Sequence, residues 1–221
     1  LQTGSDCPKE SMCEGVGGVM FQHRFDILIV GVGGQGVLLA SEIISQVAMD
    51  AGLDVKKSEV HGMSQRGGVV SSHVKIAPRV YSPVIFKGQA DVLISFEQAE
   101  ALRAVDWLKR DGLVITSRTR LVPAIVTSSK EYSYPDDAVS ALQAKVERTI
   151  PVDADNLARE LGDPRLVNTL LLGVLSNYLP FSKEQWIAAI RKRVKAKFID
   201  INVTALERGR LITLETTGTT R

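Results

Sequence analysis

The chain is poor in the residues that carry most metal, redox and stacking chemistry. Of its 221 residues two are cysteine, three are histidine and 5% are aromatic. Cys7 and Cys13 are too few for an iron–sulfur cluster held by four thiolates, and no histidine lies close to complete a zinc site with them. They do not make a disulfide framework either. Charge of one sign is also missing: 27 basic and 25 acidic residues are spread along the chain, which leaves no electrostatic footprint for nucleic acid. The densest basic run, Arg191 to Lys197, reads as the solvated face of a helix. No apolar run reaches the roughly 20 residues of a membrane span, and the first residues lack the charged, apolar and small-residue order of a secretory signal. A cytoplasmic protein without a membrane or nucleic-acid partner is the expectation.

What is present is enough hydrophobic content for a real core, 44%, with glycines in informative places. Residues 1–24 read as a flexible leader, residues 25–212 as a single domain with a helical part over 155–212, and residues 213–221 as a tail. FDILIVGVG is a continuous apolar run closed by glycines, the pattern of a buried parallel strand. From Gln35 to Ala51 the apolar positions Val37, Leu38, Ile43, Ile44 and Val47 recur at helical spacing, and Gly52 stands where a C-terminal cap belongs. LDVKKSEV then reads as a second strand, completing a strand–helix–strand unit with a right-handed crossover.

HGMSQRGG is too rich in glycine and polar residues for helix or strand and reads as a loop. VVSSHVKIA alternates, with Ser71, His73 and Lys75 on the polar side. That predicts an antiparallel or edge strand, His73 at the surface and a face free for pairing. ADVLISF and GLVITS are further strands around a short helix predicted to end at Gly112. PDDAVSALQAKVERT predicts a helix and IPVDA a last strand. Only helices follow from Asp155 onward, one of them opened by a capping box of Ser182 and Gln185. The fold class is therefore α/β: a Rossmann-like, mostly parallel sheet flanked by helices, with a helical C-terminal third.

Gly31, Gly33 and Gly36 fit G-x-G-x-x-G directly after a strand and at the opening of a helix, with Gly34 as a fourth glycine. Such a turn aims backbone N–H groups and the positive helix end at a phosphate or carboxylate; it serves tight strand-to-helix packing equally well. A stand-alone NAD(P)-binding dehydrogenase also needs an acidic residue about 20 positions on to hold the ribose, and only Glu59 is suitably placed. An adenylating enzyme with a similar turn needs an acceptor cysteine or paired zinc ligands downstream, and no cysteine follows Cys13. The second candidate site is the polar loop. Ser64, Gln65 and Arg66 offer donors, Gly67 and Gly68 free the backbone for an anion nest, and Arg66 can grip an anion bidentately. Both loops should face one crevice suited to a polyanion or to a partner's acidic group. No catalytic or metal-binding residue is assigned. His61 reads as a loop histidine bonded to backbone, and Trp107 and Trp186 as core or interface.

GVGGQGVLLAS, EVHGMSQRGGVVSSHVKI, ADVLISFEQAEALRA and NTLLLGVLSNYLPFSKEQWIAAIRKRV follow one another between Asp26 and Gly209. Together they resemble the gamma-type subunit or domain of 2-oxoacid:ferredoxin oxidoreductases, the loop run being most similar to the branch acting on indolepyruvate. The resemblance implies a subunit of an enzyme that oxidatively decarboxylates a 2-oxoacid to acyl-CoA and reduces ferredoxin. It implies thiamine diphosphate and iron–sulfur clusters on an alpha-type partner, in a heterodimer or heterotetramer, with ferredoxin contacted only indirectly. The isolated chain should be inactive and prone to homodimerise where its partner would sit. The lack of a GDG…N thiamine motif and the shortage of cysteine agree with this. The resemblance also implies coenzyme A beside Gly31, Gly33, Gly34, Gln35 and Gly36 of the first loop and Ser64, Gln65, Arg66, Gly67 and Gly68 of the second, or contact of these residues with the partner subunit. Asn168 matches a recurrent position where an amide opens a buried helix, read here as a bond to the helix start.

Overall fold

The computed structural model describes residues 24–62, 68–122 and 134–213. Six strands form one sheet: β1 Phe25–Val32, β2 Asp54–His61, β3 Val69–Ala77, β4 Ala90–Ser95, β5 Leu108–Ser117 and β6 Thr149–Val152, in the order β2-β3-β1-β4-β5-β6. β1, β4, β5 and β6 pair in parallel, while β3 is antiparallel to β1 on one side and to β2 on the other. The described helices are α1 Val37–Asp50, α2 Gln98–Ala104, α3 Ala138–Lys145, α4 Ala154–Glu160, α5 Val167–Leu175, α6 Lys183–Arg193 and α7 Ile199–Arg210. The expected α/β class, mostly parallel sheet and helical C-terminal third are all present.

Burial on both faces explains why the parallel strands read as unbroken apolar runs. Ile27, Ile29, Ile94 and Ile115 point into a core shared with α1 and the helices from α4 onward. Leu28, Val30, Leu93 and Val114 point the other way, toward α2 and α3. α1 ends as its sequence suggests: Gly52 takes φ +80°, and the Leu53 N–H reaches back to the Ala48 carbonyl at 3.0 Å. Ser182 and Gln185 form the capping box at the start of α6.

The strand order departs from the expected crossover. The chain folds back after β2, so β3 occupies the place beside β1, and β2 runs parallel to β1 one strand further out. β3 is thus internal, and the open edge belongs to β2, where Lys56 and Lys57 guard it. His73 is not at the surface: it is 7% exposed, because the coil after β3 folds over that face. Its Nδ1 accepts the Ile85 N–H at 3.2 Å, and its ring stands edge-on to Trp107 at 5.2 Å. Burial, with the charge of Lys75 second, lowers its pKa. The helix before β5 also ends earlier than expected, at Ala104, followed by one 3₁₀ turn, Val105–Trp107. Gly112 is no helix cap but a residue of β5. There the pairing with β4 shifts register, and a Cβ would strike Leu108 Cγ at 2.5 Å.

The helical third is fastened by two glycines. A Cβ on Gly173 of α5 would lie 2.3 Å from the Leu206 carbonyl oxygen, and one on Gly209 of α7 would lie 2.1 Å from that of Leu170. Both obstacles are backbone, so neither can swing aside. Among the described residues no helix is long and apolar enough to cross a membrane. Gly209→Ala is expected to force the two helices apart at an overpacking loss of about 1–3 kcal/mol, seen by calorimetry as a Tm roughly 2–12 °C lower. An unchanged Tm would show that these helices are free to separate.

Candidate functional site

Each residue of the first glycine loop has a distinct place. Gly31 is packed: a Cβ there would meet Gln35 Oε1, Val37 Cγ2 and Phe96 Cβ at 3.0–3.2 Å. Gly34 and Gly36 adopt φ +96° and +87°, conformations that favour glycine. Gly33 donates its N–H to the Gly68 carbonyl at 3.0 Å, so the two predicted loops do meet. Ser64, Gln65, Arg66 and Gly67 lie outside the described residues. His61 ends β2 and is exposed.

Gln35 turns its amide inward. Its Oε1 accepts the Val32 N–H at 2.7 Å, and its Nε2 donates to the Phe96 carbonyl at 2.9 Å. Phe96 in turn donates its N–H to the Val30 carbonyl at 3.0 Å. The sheet order reverses between β1 and β4, and the carboxyl ends of strands at such a point are where an open α/β sheet receives a dinucleotide. Here the side chain of Gln35 bridges that gap. Glu59, the one ribose-binding candidate, pairs with Lys57 at 2.8 Å and lies beyond β3, two strand spacings or about 10 Å from β1. The stand-alone NAD(P) dehydrogenase is therefore set aside.

The space beside the turn opens toward the helical third instead. A cleft of about 650 Å³ is lined by Gly34, Gln35 and Gly36 on one wall and by the α4–α5 and α6–α7 connections on the other. Among the described residues no side chain caps the N-terminus of α1, which leaves its first N–H groups to an acceptor. Against Gly36 stands Asn168, 4% exposed. Its Oδ1 accepts the Thr169 N–H at 2.7 Å, the helix-start bond expected from sequence. Its Nδ2 donates to no other described residue and sits 2.7 Å from where a Cβ on Gly36 would be. The Thr169 hydroxyl lies 2.6 Å from Asn202 Oδ1, and Asn202 Nδ2 donates to the Phe198 carbonyl at 2.8 Å, which fixes this wall.

Three cations line the cleft. Arg165 grips Asp163 with bonds of 2.9 and 2.6 Å and stacks on Phe198 at 4.8 Å. Bonding to Arg165 lowers the Asp163 pKa. Among the described residues Arg193 hydrogen-bonds the neutral Gln46, at 3.1 Å through Nε, and acts on the nearby carboxylate of Asp50. The basic run is thus divided: Lys192 pairs with Asp50 at 2.7 Å, whereas Arg193 and Lys195 line the cleft. Sequence reasoning missed these two, with Phe198 and Asn202, because a charge run reads as solvated until the helices that turn it are known. Near the end of β5, the buried carboxylate of Glu97 accepts the N–H of Glu100 and the hydroxyl of Tyr134. Burial first, and that bond second, push the Tyr134 pKa up to about 12. Among the described residues no group of three His, Cys, Asp or Glu side chains could hold a metal ion.

The family model for pyruvate ferredoxin/flavodoxin oxidoreductase matches residues 26–212. The indolepyruvate oxidoreductase subunit IorB of Archaeoglobus fulgidus is 42% identical over 189 residues, covering 84% of this chain and 94% of the relative. Two solved structures share the fold. The keto/oxoacid ferredoxin oxidoreductase gamma subunit from Geobacter sulfurreducens has a TM-score of 0.67 at 24% identity, covering 87% of this chain and 98% of that one. The 2-oxoglutarate:ferredoxin oxidoreductase from Magnetococcus marinus, with 2-oxoglutarate, coenzyme A and succinyl-CoA bound, has a TM-score of 0.67 at 18% identity, covering 90% of this chain and 32% of that one.

Gln35→Ala leaves the Val32 N–H and the Phe96 carbonyl without their partner. It is expected to destabilise the free chain by about 1–3 kcal/mol, a Tm roughly 2–12 °C lower. A residue serving ligand contact alone would leave the ligand-free melt unchanged.

Proposed function

Because the chain belongs to the pyruvate ferredoxin/flavodoxin oxidoreductase family, we propose that it is the accessory subunit of an enzyme that oxidises an aryl 2-oxoacid, indolepyruvate above all. The reaction consumes the 2-oxoacid, coenzyme A and oxidised ferredoxin, and yields the acyl-CoA, carbon dioxide and reduced ferredoxin. Thiamine diphosphate supplies the decarboxylation chemistry and iron–sulfur clusters carry the electrons, all on a larger alpha-type subunit. This chain, as one domain over residues 25–212 in a cytoplasmic heterodimer or heterotetramer, contributes a binding wall.

The observation that carries its part is the cleft at the uncapped end of α1. Its volume suits a small-molecule site, for which about 300–1,000 Å³ is usual. Free N–H groups of the first helical turn favour a phosphoryl oxygen. Asn168 Nδ2 adds a neutral donor beside Gly36, and Leu39, Val194 and Phe198 give an apolar lining. These residues fit a phosphorylated thiol carrier such as coenzyme A. Gly34, Gln35 and Gly36 frame the cleft, while Gly31 and Gly33 shape the turn from behind. Gly68 is tied to Gly33, and Ser64, Gln65, Arg66, Gly67 and Gly68 are proposed to contact coenzyme A or the partner.

Exposed apolar residues collect at that end. Leu38, Val60, Val69, Leu121 and Val122 are 38–56% exposed. They lie on α1, β2, β3 and the coil after β5, around the glycine turn, and supply a surface for the partner subunit. Co-expressed with its alpha-type partner, the tagged chain is expected to co-purify with thiamine and iron and to reduce ferredoxin only when indolepyruvate and coenzyme A are both present. NAD(P)-linked turnover by the chain alone would overturn the proposal.

A further inference from the structure

The cleft has two ends that attract anions, and only one of them is the helix terminus. At the other, where α6 passes into α7, stand Arg193 and Lys195, neither of them in an ion pair among the described residues, Arg193 sharing the field of Asp50 with Lys192. Of the cations nearby, Arg165 is paired with Asp163 and Lys192 with Asp50, while Lys197 sits over the ring of Phe198. Among the described residues Arg193 is hydrogen-bonded through Nε to a neutral amide and not through its terminal nitrogens, and Lys195 makes no ion pair or side-chain hydrogen bond. Against them the cleft sets the carboxylate of Asp155, since Asp163 is engaged. The local balance stays positive. The helix end belongs to the glycine turn and the cationic lip to the α6–α7 connection, two different parts of the lining.

We propose that Arg193 and Lys195 recognise a second phosphate on the ligand, the one on the ribose of coenzyme A. They thereby make the enzyme discriminate coenzyme A from its 3′-dephospho form. This rests on the reading of the cleft as a coenzyme A site, and it adds which group is read and by which residues. In the orientation that follows, the pyrophosphate lies toward the uncapped α1 terminus and Asn168. The ribose phosphate lies at the lip, and the thiol arm leads away toward the partner. Arg193 and Lys195 touch no reacting atom. They set specificity through a charged contact that is worth most where water is partly excluded.

The test uses the complete enzyme with its partner subunit and measures KM for coenzyme A and for 3′-dephospho-CoA. The unsubstituted enzyme should favour coenzyme A by tenfold or more. Lys195→Ala should raise KM for coenzyme A about tenfold while changing that for dephospho-CoA less than twofold, Arg193→Ala should act in the same direction, and Lys195→Arg should keep the preference. Equal use of both acceptors by the unsubstituted enzyme would overturn this assignment and leave the coenzyme A reading intact. A preference that survives Lys195→Ala and Arg193→Ala together would also overturn it, placing phosphate recognition elsewhere. Turnover that needs neither acceptor would overturn the underlying reading as well.

Discussion

The amide of Gln35 joins the two strands between which the sheet reverses its order. Val32 closes β1 through Gln35 Oε1, and the carbonyl that follows β4 is held by Nε2. A side chain fills the gap in which a nicotinamide nucleotide would otherwise settle. Gly31 is required because the same amide passes over it. The turn then continues through Gly34 and Gly36 with positive φ, and α1 starts with its N–H groups facing the helical third. Asn168 completes the arrangement, because only a glycine at position 36 leaves room for its amide.

The glycine turn, the strand before it, the helix after it and the helical C-terminal third were legible in the sequence. Each is a local pattern: apolar run, glycine spacing, helical period, capping residues. The order of β2 and β3 was not, because a strand does not say which neighbour it takes. The same gap misplaced His73, which looked like the polar side of an edge strand and lies under the coil that follows β3. Gly173 and Gly209 gave no signal either, since a close approach of two helices is invisible until both are in place. Half of the first loop lines the cleft as the motif suggested. The cationic lip comes from about 150 residues later in the chain, where Arg193 and Lys195 resembled an ordinary solvated run.

The functional reading follows from this division of space. The chain closes its dinucleotide crevice with its own side chain and opens a cleft toward the helical third, and on the proposed reading that cleft would hold an acceptor for chemistry done elsewhere. The apolar residues around the turn face outward at the same end of the sheet, where a partner subunit bearing the reactive cofactor would complete the site. On the same proposed reading, coenzyme A binding and subunit contact would be adjacent roles of one surface. The buried polar links around it, Asn168 with Thr169 and Asn202 with Phe198, keep the wall rigid without joining the chemistry.

The most direct measurement is a structure of the assembled enzyme with coenzyme A bound. A phosphoryl group is expected at the N-terminus of α1 within hydrogen-bonding reach of Asn168 Nδ2, with Gln35 still bridging Val32 and Phe96. A nucleotide lodged between the carboxyl ends of β1 and β4, with the Gln35 side chain displaced, would contradict it.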